Sequence, residues 1–164
     1  MKGLRILKKK AINSESDPYL NQLGPNEMAV CKKCSSVYHG KRWYHPDDVP
    51  VRLAEKTRTE VLCTACQKIR DRFAEGYVTL QGEFVKKHRE EILNLVKNKE
   101  ERSSRANPLE RIIEISDKNG GIEITTTTEK LAQMIGRMLN KSYDGEVEYK
   151  WSSDVKLARV VWVR

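Results

Sequence analysis

Cys31-Lys32-Lys33-Cys34 and, 28 residues further on, Cys63-Thr64-Ala65-Cys66 decide how this chain can be built. A C-x-x-C turn presents two thiolates to one ion, and two such turns complete the tetrahedron that zinc favours without help from histidine. Four cysteines in two pairs, with no export signal beside them, argue for metal rather than disulfides. One Zn2+ held by Cys31, Cys34, Cys63 and Cys66 is the expectation. A site closed by four thiolates keeps no open coordination position, so it is structural, and its metal supplies on the order of 10 kcal/mol of folding free energy at neutral pH. His39 and His45, between the pairs, read as surface or packing residues. Val61-Leu62 before Cys63 and Gln67 to Arg70 after Cys66 read as strand, turn and helix. That context suits a treble-clef or ribbon site, with a helix over residues 65–74 whose N-terminus favours the thiolates. It also suits a thioredoxin-like redox motif, which needs a longer βαβ frame and leaves Cys31 and Cys34 unexplained.

Around the cysteines the chain divides by composition. Residues 1–26 are basic and then rich in Asn, Ser, Asp, Pro and Gly, the composition of a flexible tail. Residues 27–84 form the four-cysteine module. Residues 85–106 read as a linking helix, with Val85, Ile92 and Val96 on one stripe. In 107–164, Ile113 and Ile115 alternate, Asn119-Gly120 supplies turn chemistry, and Ile122 and Ile124 alternate again, a hairpin signal. Thr126 followed by Glu129 fits a capping box for an amphipathic helix carrying Leu131, Met134, Ile135, Met138 and Leu139, which ends near Tyr143-Asp144-Gly145. Val147, Tyr149 and Trp151 alternate with polar residues, and Leu157 to Val163 reads as a central strand. The fold class expected is α+β: a zinc-ribbon or treble-clef-like module, a linking helix, then a compact β-β-α-β-β domain.

Charge separates the same parts. Residues 1–106 hold 22 Lys and Arg against 14 Asp and Glu, whereas residues 107–164 hold nine of each. A basic part joined to a neutral part suggests a polyanion partner. No apolar run approaches the roughly 20 residues of a membrane span. The basic N-terminus lacks the apolar core of a secretory signal, so a cytoplasmic location is expected, with no membrane partner.

Candidate nucleic-acid contacts follow from residue type. Lys32 and Lys33 must point outward from the first turn. Lys41, Arg42, Trp43 and Tyr44 interleave cations with rings, as single-stranded RNA requires for phosphate contact and base stacking, although small zinc modules also bury such rings as core. Lys68, Arg70 and Arg72 follow the second turn on its helix. None of the common catalytic motifs is present, and neither is the zinc deaminase pattern, so no enzyme and no small-molecule substrate are expected.

Cys63-x-x-Cys66-Gln67-x-Ile69-Arg70-Asp71, followed by Gly76-Tyr77-Val78-Thr79-Leu80-x-Gly82, resembles the cysteine-rich region of the ribosomal export adaptor called nonsense-mediated decay protein three. The chain looks most like the small prokaryotic relatives of that adaptor, also through Asn107-Pro108-Leu109-Glu110-Arg111-Ile112, Thr125-Thr126-Thr127 and Leu131-Ala132-x-x-Ile135-Gly136. The resemblance covers about residues 28–164. It implies zinc on the four cysteines and binding to the large ribosomal subunit. The adaptor carries more C-x-x-C pairs than the two here, so one metal site is expected. The sequence also stops at Arg164 without the adaptor's long tail, so export is not carried over.

The sequence therefore reads as a non-enzymatic zinc protein that binds RNA, associated with the ribosome in assembly, quality control or dormancy. The alternatives are a DNA-binding, transcription-associated zinc-ribbon protein and a thiol or zinc redox sensor.

Overall fold

A computed structural model describes residues 18–19, 23–24, 26–54, 58–152 and 154–164. Most of the expected basic tail, Lys8 to Lys10 included, lies outside the described residues. The fold is mixed α and β, with two sheets and five helices among the described residues.

The first sheet is small. Strand β1 (Ala29–Cys31) pairs antiparallel with β2 (Val37–His39), which pairs antiparallel with β3 (Arg42–Tyr44). A short 3-10 turn (Pro46–Asp48) and helix α1 (Val51–Ala54) lead to β4 (Thr59–Val61), which lies parallel to β1. Helix α2 (Thr64–Asp71) follows. It is shorter than expected because Arg72 turns left-handed at φ 51°, and its N–H closes onto the carbonyls of Ile69 and Lys68.

The second sheet has the order β6-β7-β5-β9-β8, and its middle strand comes from an unexpected place. Strand β5 (Gly76–Gln81), which composition alone places in the cysteine module, lies between β7 (Gly121–Thr126) and β9 (Ala158–Val163). The expected β-β-α-β-β unit is thus incomplete without it. The reason is simple: Tyr77 to Leu80 alternates like any half-buried strand, and alternation does not name a strand's partners. The expected linking helix also divides. Helix α3 (Glu83–Lys87) and helix α4 (Arg89–Ala106) meet at His88, whose φ of −114° breaks the helical run. Both join the core of this sheet through Val85, Ile92 and Val96, so they are not a spacer.

Strand β6 (Ile112–Lys118) and β7 form the expected hairpin. Asn119 at φ 51° and Gly120 at φ 75° supply the two left-handed residues that a tight hairpin with the strands' own twist requires. Helix α5 (Glu129–Tyr143) is capped two residues later than the capping-box reading. The Thr128 hydroxyl accepts from Leu131 N at 3.2 Å, while the Thr126 hydroxyl is taken up donating to Thr128 O at 2.8 Å. Strand β8 (Glu146–Trp151) forms one edge of the sheet, beside β9.

Val78, Leu80, Ile122, Ile124, Val160 and Trp162 face Leu131, Ile135 and Leu139 of α5 in one core. The apolar spacing of α5 and the alternation of β5, β7 and β9 bury their matching faces together. Gly76 and Gly136 let this happen at close range: a Cβ at Gly76 would strike Thr126 and Ala132, and one at Gly136 would strike Val160.

Candidate metal centre

The four cysteines converge because two different local structures end beside each other. Strand β1 delivers Cys31, and the chain then reverses in a turn closed by Ser35 N to Cys31 O and Cys31 N to Ser36 O, both 2.8 Å. Ser35 adopts φ 63° to make that reversal, which places Cys34 opposite Cys31. The parallel β1–β4 pairing sets Cys31 beside Val61, and Lys32 N donates to Val61 O at 2.9 Å. Cys63 follows as the N-cap of α2, and Cys66 lies in its first turn.

All four sulfurs lie within 4.8 Å of one another. Cys34 and Cys63 Sγ are 3.7 Å apart. A tetrahedron of sulfurs about 2.3 Å from one ion has edges of about 3.8 Å, so this donor set fits a four-thiolate metal ion. The backbone supports the sulfurs as such a site requires. Cys63 N donates to Cys31 Sγ at 3.3 Å, and Cys66 N donates to Cys63 Sγ at 3.4 Å. These N–H donors and the positive end of α2 favour thiolates over thiols.

Without a cation the cluster cannot ionise fully. Cys34 is held far below the ordinary thiol range because it accepts hydrogen bonds from Cys63 and Cys66. Cys63 is pushed well above that range, and Cys66 is pushed up to about 12, each chiefly by its hydrogen bond to Cys34 and further by burial. One early thiolate suppresses its neighbours, and a divalent cation removes the conflict.

Ala29, Tyr38, Trp43 and Ala65 pack around the sulfurs, with Leu109 from beyond α4 among the residues against them. Trp43, by residue type a stacking platform for bases, is instead buried, its ring 5.4 Å from that of Tyr38. Tyr44 is half-buried, with the Arg42 guanidinium 5.3 Å over its ring. Lys68, by residue type a phosphate contact, is also buried, donating to Glu75 Oε1 at 2.6 Å and to Thr127 O at 3.2 Å. Its position on α2 faces β5 and β7, where a carboxylate and a carbonyl replace the water a lysine normally keeps.

The other cations remain outside. Lys32, Lys33, Lys41, Arg42, Arg70 and Arg72 are exposed. Arg70 is engaged with the Asp71 carboxylate through bonds of 2.6 and 3.0 Å. The structure separates Lys32 and Lys33 from Lys41 and Arg42, because the metal turn and the β2–β3 turn lie at opposite ends of β2. The interval is about 10 Å for a three-residue strand. Neither His39 nor His45 belongs to the sulfur cluster; His45 Nδ1 accepts from Asp47 N at 3.3 Å.

Sequence reasoning missed the neighbours that join the centre to the rest of the fold, Glu75, Leu109 and Thr127. It also missed a cleft of about 270 Å³ lined by Cys34, Ser36, His45, Lys97, Glu100 and Arg111. Cys34 is the least buried of the four cysteines and opens onto that cleft. No helix among the described residues is long and apolar enough to cross a membrane. No family model matches the chain, and no curated protein or solved structure matches it significantly.

Proposed function

We propose that the chain is a non-enzymatic zinc protein that binds RNA, on the large ribosomal subunit. In this reading the metal turn, the β2–β3 hairpin and α2 form a treble-clef-like zinc module, and Zn2+ is its one structural ion. The observation that carries the RNA reading is the state of Lys32, Lys33, Lys41 and Arg42. All four are exposed, and none has a carboxylate within ion-pair distance among the described residues. Some cations elsewhere are neutralised, Lys68 by Glu75, Arg89 by Asp117, Arg105 by Asp47 and Asp48, and Lys118 by Glu123. Others, such as Arg52, Lys87 and Lys99, likewise have no such partner among the described residues, so it is the position of the four beside the cysteine module that supports the reading. Exposed cations at both ends of one short strand suit contact with separate phosphates of a polynucleotide backbone. The resemblance to the ribosomal adaptor's relatives points the same way.

Major-groove reading by α2 has less support, since Thr64, Ala65, Cys66 and Lys68 are buried and Arg70 is bonded to Asp71. The test is sedimentation of the tagged protein through a sucrose gradient of native lysate at low and high salt. Co-migration with the large subunit, lost as salt rises, is the expected result. Protein that stays at the top of the gradient at every salt concentration overturns the ribosomal reading.

A further inference from the structure

The two edges of the five-stranded sheet are treated differently. Strand β6 carries a bulge between Ile112 and Glu114, and its Ile112 N–H is taken by Glu100 Oε1 at 2.7 Å. Arg89 on α4 also reaches Asp117 near its far end, at 3.1 Å. Such features blunt an edge against other strands. Strand β8 has none of them. It pairs with β9 in unbroken register over six residues, from Glu146–Val163 to Trp151–Ala158. Its outer side meets no strand among the described residues.

The ladder fixes which backbone groups face outward. Ser152 N donates to Leu157 O at 3.0 Å, so 152 and 157 are a hydrogen-bonded pair. In an antiparallel ladder such pairs alternate, which turns the N–H and C=O of Val147, Tyr149 and Trp151 away from β9. The side chains of the same three residues lie on the face that carries α5, where Tyr149 stacks on Trp151 with centroids 5.9 Å apart. Trp151 is 52% exposed. Glu146, Glu148 and Lys150 lie on the opposite face.

We propose that two copies of the chain join through β8, antiparallel about a two-fold axis at Tyr149, to make one continuous ten-stranded sheet. The pattern of charges selects this partner and this register. With Tyr149 opposite its own copy, Val147 faces Trp151 of the second copy, and all outward backbone groups find partners. Glu148 then faces Lys150 of the second copy, twice. Sliding by one step either way keeps the backbone parity but sets Glu148 against Glu148, or Lys150 against Lys150, on the axis. Opposite charges directly across a ladder stabilise it and like charges oppose it. The chosen register also covers the exposed Trp151 with Val147. The contact is small, so the dimer belongs to the weak, concentration-dependent class.

The experiment is sedimentation equilibrium of the full chain over a concentration series, with Glu148→Lys, Lys150→Glu and their mixture. Both side chains are more than half exposed, so each variant keeps its fold, verified by its thermal melt. Wild type forms a dimer, and each reversal weakens it about tenfold by placing like charges opposite one another. An equimolar mixture of the two variants recovers the dimer, because one variant then carries only lysine at positions 148 and 150 and the other only glutamate. A wild type that is monomeric at every concentration overturns the proposal. So does a dimer indifferent to both reversals, or a mixture that fails to recover association.

Discussion

Lys68 on α2 and Glu75 at the entry to β5 form an ion pair of 2.6 Å in which both side chains are almost wholly buried. Lys68 also donates to Thr127 O, and the Thr127 hydroxyl donates to Leu109 O at 2.6 Å. The helix that carries Cys66 is thereby bonded to the sheet through a lysine two residues beyond the cysteine. Lys68→Ala leaves Glu75 buried without its cation and is expected to cost about 3–5 kcal/mol. The double variant Lys68→Met, Glu75→Leu removes both charges and is expected to recover most of that loss. Urea denaturation of the two variants measures the difference, and equal losses would argue against a buried pair.

Metal binding should depend steeply on pH. Cys63 and Cys66 have raised pKa values in the folded, metal-free protein, so both carry protons at neutral pH and must release them to bind metal. Affinity therefore rises with pH across the neutral range, by at least about 100-fold per unit for the two protons these thiols give up. Competition against a chromophoric chelator at pH 6, 7 and 8 reads this slope. A flat profile would contradict the assigned protonation.

Cys63→Ser removes a ligand, the N-cap of α2 and the acceptor of Cys66 N together. Bound zinc should fall from one equivalent to none, and the amides of 29–71 should lose dispersion. Those of β6, β7, α5 and β9 should keep it, because their core at Ile122, Ile124, Leu131 and Val160 contains none of the cysteines. Amide spectra with zinc analysis decide this, and a retained equivalent of zinc would count against Cys63 as ligand.

Replacing Lys32, Lys33 and Lys41 by Glu should weaken RNA binding without altering the melt, since none of the three packs in a core cluster. The slope of log affinity against log salt should fall by about 1 for each lysine that meets a phosphate. Filter binding to ribosomal RNA across a salt series gives the slope. An unchanged slope would move the contact surface elsewhere.

Gly76→Ala tests the close approach of β5 to α5. The new methyl would meet Thr126 and Ala132, and Thr128 O at 3.1 Å. Overpacking of this kind is expected to cost about 1–3 kcal/mol. A variant as stable as wild type by denaturant midpoint would show that α5 can withdraw.

Legibility in the sequence tracks how local the deciding chemistry is. The cysteine set can be read because two short turns carry all the ligands, and the β6–β7 hairpin because Asn119-Gly120 states its own turn. The strand over Tyr77 to Leu80 is left unassigned inside the cysteine module by the sequence, because its neighbours Ile124 and Val160 lie far away in the chain and nothing nearby names them. Lys68 misleads for a related reason, and Trp43, whose type suits base stacking and a small core equally, is settled only in space. The positions of Glu75 and Tyr38 in space turn the two side chains inward.

The parallel pairing of β5 with β9 also orders events in time. Gly76 aligns with Ala158 and Gln81 with Val163, so during synthesis the central strand emerges long before its neighbour exists. Closing so long a loop is slow, whereas the pairings of β1 with β2 and β4 span short stretches. The cysteine module can therefore capture its ion while β5 still waits with one face open. Loss of metal bears on pairings completed early in the chain, and a truncation within β9 on the one completed last.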